Sequence, residues 1–334
     1  MLRTFGVHCQ TGREDHANSR ESSNRSRSIS TNKWGGAAMP WCAIKPVSFF
    51  AKEESTGKRK TQCYCDQNNT SMLIRPAHAN LPNPDGSGKV GFLIVGAQKS
   101  ATTALHQALG QNREICMAST KEVHFFDNCE NFATKRTDYR DYHRSFSPTK
   151  ESQICGEATP IYMFWDEAPK RIYEYNPSTK IIAILRNPIE RAFSHWNMER
   201  NRGFEQLPFL EALLQEEERC RESLPAQHRV FSYASRGFYL HQLRRLWMYF
   251  RRSNVLTIKY DDFTLDPLSQ IASVHKFLGL EPQRTAHPEA AHSWPYKHAM
   301  TPSERHYLRE KFEHEIRGIE SELGWDCKDW LTIP

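Results

Sequence analysis

The segment Gly96-Ala97-Gln98-Lys99-Ser100-Ala101-Thr102-Thr103 combines small residues, one lysine and three hydroxyls. An apolar run over 90–97 leads into it, and helix formers ending at Gly110 follow, with Leu105 and Leu109 on one face. A buried strand that turns through small residues into a helix aims free amides at one spot, where the helix dipole adds partial positive charge. Lys99 adds a full charge, and Thr102 and Thr103 add hydroxyl donors. That is chemistry for a phosphate or a similar oxyanion. An ordinary strand–helix turn with a solvated lysine is the alternative.

A nucleoside triphosphatase loop reads GxxxxGK[ST] and needs a nearby Asp to hold magnesium. Here Lys99 lies three residues after Gly96, with no Gly directly before it. A second apolar strand, 180–185, ends in Arg186, a cation where that rival needs an acid. The pair favours an anion over a metal ion. Asn187 as N-cap and Pro188 at the first helical position then open a helix through Arg200, and Ser194 lies two turns along it.

These positions need a scaffold, and the pattern supplies one. An amphipathic stretch over 239–251 precedes a third strand, 255–260, and a helix over 267–278 stops at Gly279. A capping box, Thr301-Pro302-Ser303-Glu304, opens a last helix that Gly324 closes. Strands alternating with helices predict an α/β fold: a mostly parallel central sheet with helices on both faces, carrying a P-loop-like strand–loop–helix.

Composition narrows the class. The 334 residues hold 45 Lys+Arg and 39 Asp+Glu; residues 1–89 hold 13 and 7 of these, leaving 32 of each sign beyond. The basic excess therefore belongs to the N-terminal segment, and no nucleic-acid face is expected on the rest. Nine scattered cysteines without a CxxC pair argue against a zinc site or a dense disulfide framework. No apolar run approaches the roughly 20 residues of a transmembrane segment, so a cytoplasmic location is expected. Residues 1–88, rich in Ser, Arg and Asn in part, read as a disordered tail or targeting segment before a domain over 89–334.

The segment Gly96–Leu105 resembles the 5′-phosphosulfate loop of sulfotransferases, which use 3′-phosphoadenosine 5′-phosphosulfate (PAPS). Lys121-Glu122-Val123-His124-Phe125-Phe126-Asp127 is similar to the segment with the catalytic base in the heparan sulfate branch, and Ile184 to Trp196 resembles the 3′-phosphate motif. Arg236-Gly237-Phe238-Tyr239 and Phe277-Leu278-Gly279-Leu280 stand in the family's order, so the resemblance runs from about 90 to 330. It implies Lys99, Ser100, Ala101, Thr102 and Thr103 around the phosphosulfate, and Arg186 and Ser194 on the 3′-phosphate. Arg236, Tyr239 and Lys297 join the cofactor set. It also implies Glu122 as general base and Lys99 beside the leaving group, with His124 as a third catalytic candidate. Bland alternatives stay open: a packed or supporting His124, a solvated Glu122, an ion-paired Arg186, and plain helix-start roles for Arg236 and Tyr239.

Two departures stand out. The heparan sulfate branch has a lysine after the Glu of the segment Gly156-Glu157-Ala158, and a disulfide-closed loop near 294–300; this chain has neither. The expected reaction is sulfuryl transfer from PAPS, without a metal, to a hydroxyl or amine, most simply on a carbohydrate of the broader, bacterial-like group. A small non-carbohydrate acceptor and a non-enzymatic nucleotide-binding protein of the same fold are the alternatives. Arg200, Arg202, Arg244, Arg245, Arg251 and Arg252 read as solvated helix faces rather than a cleft for an acidic polymer.

Overall fold

The strand β1, Phe92–Gly96, is buried at every position. Its side chains alternate between two apolar clusters: Phe92 and Ile94 join one, Leu93 and Val95 the other. A strand with both faces covered reads as an unbroken apolar run, and β4, Lys180–Leu185, does the same. The computed structural model describes residues 89–134, 136–150, 153–283 and 294–332. The tail or targeting segment expected over 1–88 lies outside them.

Five parallel strands form one sheet in the order β2-β3-β1-β4-β5, with β2 at Ile115–Met117, β3 at Ile154–Ala158 and β5 at Val255–Lys259. The chain leaves β1 to build β2 and β3 on one side, then crosses to β4 and β5 on the other. Connections diverge at the carboxyl end of β1, where open α/β sheets leave a ligand crevice. The β1–β3 pairing places Phe92 opposite Gly156, and a Cβ at Gly156 would stand 2.1 Å from the Phe92 ring. Glycine is the residue that fits there.

Helices α1, Thr102–Leu109, and α8, Pro267–Leu278, share a cluster with Phe92, Ile94, Ile182 and Ile184. The opposite cluster takes α3 (Ala168–Tyr175), α4 (Pro188–Asn201), α5 (Phe209–Arg221), α6 (Tyr239–Tyr249) and α9 (Pro302–Leu323). Short helices α2, Arg140–His143, and α7, Tyr260–Leu265, complete the set. The expected α/β architecture with helices on both faces is the one observed.

Local signals set the element ends. The Asn187 side chain accepts from the Ile189 amide at 3.0 Å and Pro188 starts α4, as its sequence predicts. Asp266 caps α8, and Gly279 ends it at φ +84°, a left-handed conformation that glycine adopts without a Cβ clash. Thr301 and Glu304 exchange both hydrogen bonds of the capping box at the start of α9.

Candidate functional site

The loop after β1 holds Lys99 at φ 71° and Ala101 at φ 60°. The loop after β2 holds Glu122 at φ 63° and His124 at φ 55°. Among the described residues these four are the non-glycine positions with positive φ, each costing ~1–2 kcal/mol. Strain concentrated in two facing loops marks a site whose geometry is held by the surrounding fold. The Glu122 amide donates to the Ala158 carbonyl at 3.1 Å, tying the second loop to the end of β3.

Between the loops lies a cavity of about 730 Å³, a size suited to a nucleotide. Residues 98–104, Lys121, Glu122, Arg186, Ser194 and Arg202 line it, with an apolar wall that includes Phe263, Leu265 and Trp294. A second cavity, of about 670 Å³, shares Arg186 and Tyr296 with it. The Arg186 guanidinium donates to the Lys99 carbonyl at 3.1 Å and stacks over the Tyr260 ring at 4.8 Å, so the cation is fixed in place. Ser100 is fully buried and its hydroxyl has no hydrogen-bond partner among the described residues. An unpaired buried hydroxyl beside two cations fits an oxyanion donor group.

Charge inside the cavity is unbalanced. Burial, then the nearby Arg202 and Arg186 charges, lower the Lys99 pKa to about 8, although Glu199 and Glu122 pull the other way. Burial opposes ionisation of Glu122, yet hydrogen bonds from His124 and Lys121, with their charges, outweigh it and hold the carboxyl near about 2. Lys121 Nζ stands 2.7 Å from Glu122 Oε1. His124 Nε2 lies 3.5 Å from Glu122 Oε2, and Nδ1 lies 2.9 Å from Asp127 Oδ2. Burial would lower the His124 pKa, but the Asp127 and Glu122 carboxylates raise it to about 9. Asp127 is itself buried and paired with Arg229, so the row Arg229–Asp127–His124–Glu122–Lys121 ends at the cavity.

The structure thus brings Lys99, Ser100, Ala101, Thr102, Thr103, Glu122, Arg186 and Ser194 to one cavity. The four remaining candidates stand off its lining. His124 sits behind Glu122. Arg236 is buried and donates to Gln98 Oε1 and Ser232 Oγ, so it props the loop just ahead of Lys99. The Tyr239 hydroxyl, fully buried, donates to the Arg186 carbonyl at 2.9 Å and anchors the end of β4. Lys297 is exposed, and its neighbour Tyr296 lines the cavity instead. His124 is held off by its ion pairs with Glu122 and Asp127, Arg236 and Tyr239 by burial, and Lys297 by a solvent-facing loop.

Lys121, Arg202 and Trp294 line the cavity without having been singled out for it. For Lys121 a signal existed, since it adjoins Glu122 in the motif; Arg202 carries none that separates it from its helical neighbours. Arg244 and Arg252 follow their solvated reading and pair with Glu322. Arg245 departs from it: its side chain is buried, pairs with Asp166 and donates to the Met163 and Phe164 carbonyls.

Residues 90–318 match the sulfotransferase domain family. The chain belongs to that family. It is 33% identical over 218 residues to human heparan sulfate glucosamine 3-O-sulfotransferase 6, covering 64% of this chain and 59% of that protein. A membrane-associated sulfotransferase, kil1, of Dictyostelium discoideum is 27% identical over 132 residues, 40% of this chain and 26% of that one. Among solved structures, a sulfotransferase from Alicyclobacillus acidocaldarius superposes with TM-score 0.62 at 29% identity, over 73% of this chain and all of that one. The chain spans about 59% of the length of the human relative.

These likenesses overturn the expected cytoplasmic location. The relatives are heparan sulfate enzymes or membrane-associated by name, and the absence of an apolar run in the sequence does not outweigh them. Among the described residues, no helix is long and apolar enough to cross a membrane.

Proposed function

We propose that residues 89–334 form a sulfotransferase domain that moves a sulfuryl group from PAPS to a hydroxyl or amine of a carbohydrate. The observation that carries this reading is the convergence of Lys99, Arg186 and Glu122 on one cavity. Bound there, PAPS supplies the sulfuryl group, leaving its 5′-phosphate behind as part of 3′,5′-adenosine bisphosphate. The loop amides, Ser100, Thr102 and Thr103 hold the 5′ end, and Lys99 neutralises charge growing on the bridging oxygen. Arg186 and Ser194 hold the 3′-phosphate, with the planar guanidinium suited to paired hydrogen bonds.

Glu122 accepts the acceptor's proton as the new S–O or S–N bond forms. Lys121 and His124 fix its orientation and keep it ionised. His124 is a positioning residue, clamped by Asp127. Support for a carbohydrate acceptor comes from the human relative, a glucosamine 3-O-sulfotransferase by name.

Incubating the protein with radiolabelled PAPS and glucosamine-containing oligosaccharides tests the reading. Transfer of label is expected, and Glu122→Gln lowers its rate by about 10²–10⁴-fold while leaving 3′,5′-adenosine bisphosphate binding within about threefold. Unchanged transfer by that variant removes Glu122 as the base. Labelling of small phenols but of no oligosaccharide moves the acceptor to a small metabolite.

A further inference from the structure

Arg202 breaks the pattern of its neighbours. It is the C-cap residue of α4, its side chain is 44% exposed, and it lines the cavity with Lys99 and Arg186. Behind it stands Glu199, whose side chain is only 3% exposed. Glu199 Oε1 lies 3.5 Å from Arg202 Nη1 and 3.6 Å from His195 Nε2, and Oε2 has no hydrogen-bond partner among the described residues. Burial and the surrounding cations keep His195 neutral, so it does not offset the carboxylate. A buried carboxylate is costly unless cations compensate it. Burial raises the Glu199 pKa, and Arg202, Arg236 and Lys99 offset that push only in part.

The same charges conflict with one another. Among neighbouring charges, Arg202 lowers the Lys99 pKa most, ahead of Arg186. Two like charges brought that close are stabilised by an anion between them. Arg186 is already engaged, stacked on Tyr260 and donating to the Lys99 carbonyl. The anion that Lys99 and Arg202 share is therefore the group seated on the phosphate loop. The end of β3 offers no rival cation, because Ala158 stands there, fully buried.

Resting on the sulfotransferase reading, we propose that Arg202 binds the 5′-phosphosulfate end of the donor opposite Lys99, and that buried Glu199 is the positioning residue that aims it. Arg202 is thus a donor-binding residue, not a contact for the acceptor.

Two nucleotides separate the ends of the ligand. 3′,5′-Adenosine bisphosphate carries both phosphates, and adenosine 3′-monophosphate lacks the 5′ one. Calorimetry on the full chain is expected to show Arg202→Ala weakening the bisphosphate at least tenfold and the 3′-monophosphate less than twofold. Arg202→Lys recovers part of the loss, and Glu199→Gln weakens the bisphosphate severalfold with the same selectivity. A melting curve matching the wild type confirms that Arg202→Ala, at a half-exposed position, is folded. Equal loss for both nucleotides, or none for either, overturns the proposal, as does a variant that binds both normally but raises the acceptor KM. A wild-type protein that binds neither nucleotide overturns the sulfotransferase reading itself, and this proposal with it.

Discussion

Lys99 and Glu122 carry opposite charges into one cavity from two strained loops, and their titration governs the pH range in which they can act together. Glu122, held near about 2, is ionised throughout the working range. Lys99 is a cation below about 8 and loses its proton above; its neighbours in charge are Arg202, Arg186, Glu199 and Glu122. The nucleotide's anionic groups favour the protonated lysine. Bisphosphate affinity is therefore expected to be flat from pH 6 to about 7.5 and to fall by up to tenfold per pH unit above about 8. Isothermal calorimetry across pH 6–10 measures it. Rising affinity over that window contradicts the assignment of Lys99. A kcat/KM profile should likewise show no acid limb from Glu122 above about pH 3.

At the scale of elements, β3 shows why part of the fold is hidden in the sequence. Its residues, Ile154-Cys155-Gly156-Glu157-Ala158, do not read as a buried strand, because Gly156 and Glu157 interrupt the apolar pattern. Each has a reason that lies outside the strand. Gly156 makes room for the Phe92 ring. Glu157, fully buried, accepts from the hydroxyls of Tyr142, Thr159 and Tyr162. By contrast β1 and β4 are legible because both faces meet apolar partners, and α4, α8 and α9 because their caps are local. The same division holds in the site: the phosphate loop, Arg186 and Ser194 are legible from contiguous residues, whereas Arg202 depends on buried Glu199 and the distant Lys99.

Glu157 also gives this element a measurable signature. Burial raises its pKa to about 7, against hydrogen bonds from Thr159, Tyr142 and Tyr162 that lower it. The folded state thus binds a proton that the unfolded state releases near 4.5, so this group's contribution to stability falls as pH rises from about 4.5 to about 7. The size is on the order of 3 kcal/mol at most. Urea unfolding of Glu157→Gln, compared with wild type at pH 5 and pH 7.5, should show a smaller loss of stability between the two. An identical pH dependence removes Glu157 as its source. Gly156→Ala is expected to destabilise the fold by about 2–4 kcal/mol through overpacking on Phe92, read in the same experiment.

For the molecule as a whole, the strand order brings the carboxyl ends of β1 and β4 side by side, where the phosphate loop and Arg186 face one cavity. Helices from the opposite cluster then complete the site from behind: α6 anchors the end of β4 through Tyr239, and α4 supplies Ser194 and Arg202. The central claim is that this cavity holds the two phosphate ends of one nucleotide. Calorimetric titration of metal-free wild type, Lys99→Ala and Arg186→Ala with 3′,5′-adenosine bisphosphate tests it most directly. Wild-type binding on the order of micromolar is expected, weakened about 10–100-fold in each variant by loss of a charge-assisted contact. A folded wild type that does not bind, or variants that bind as tightly as it does, would contradict it.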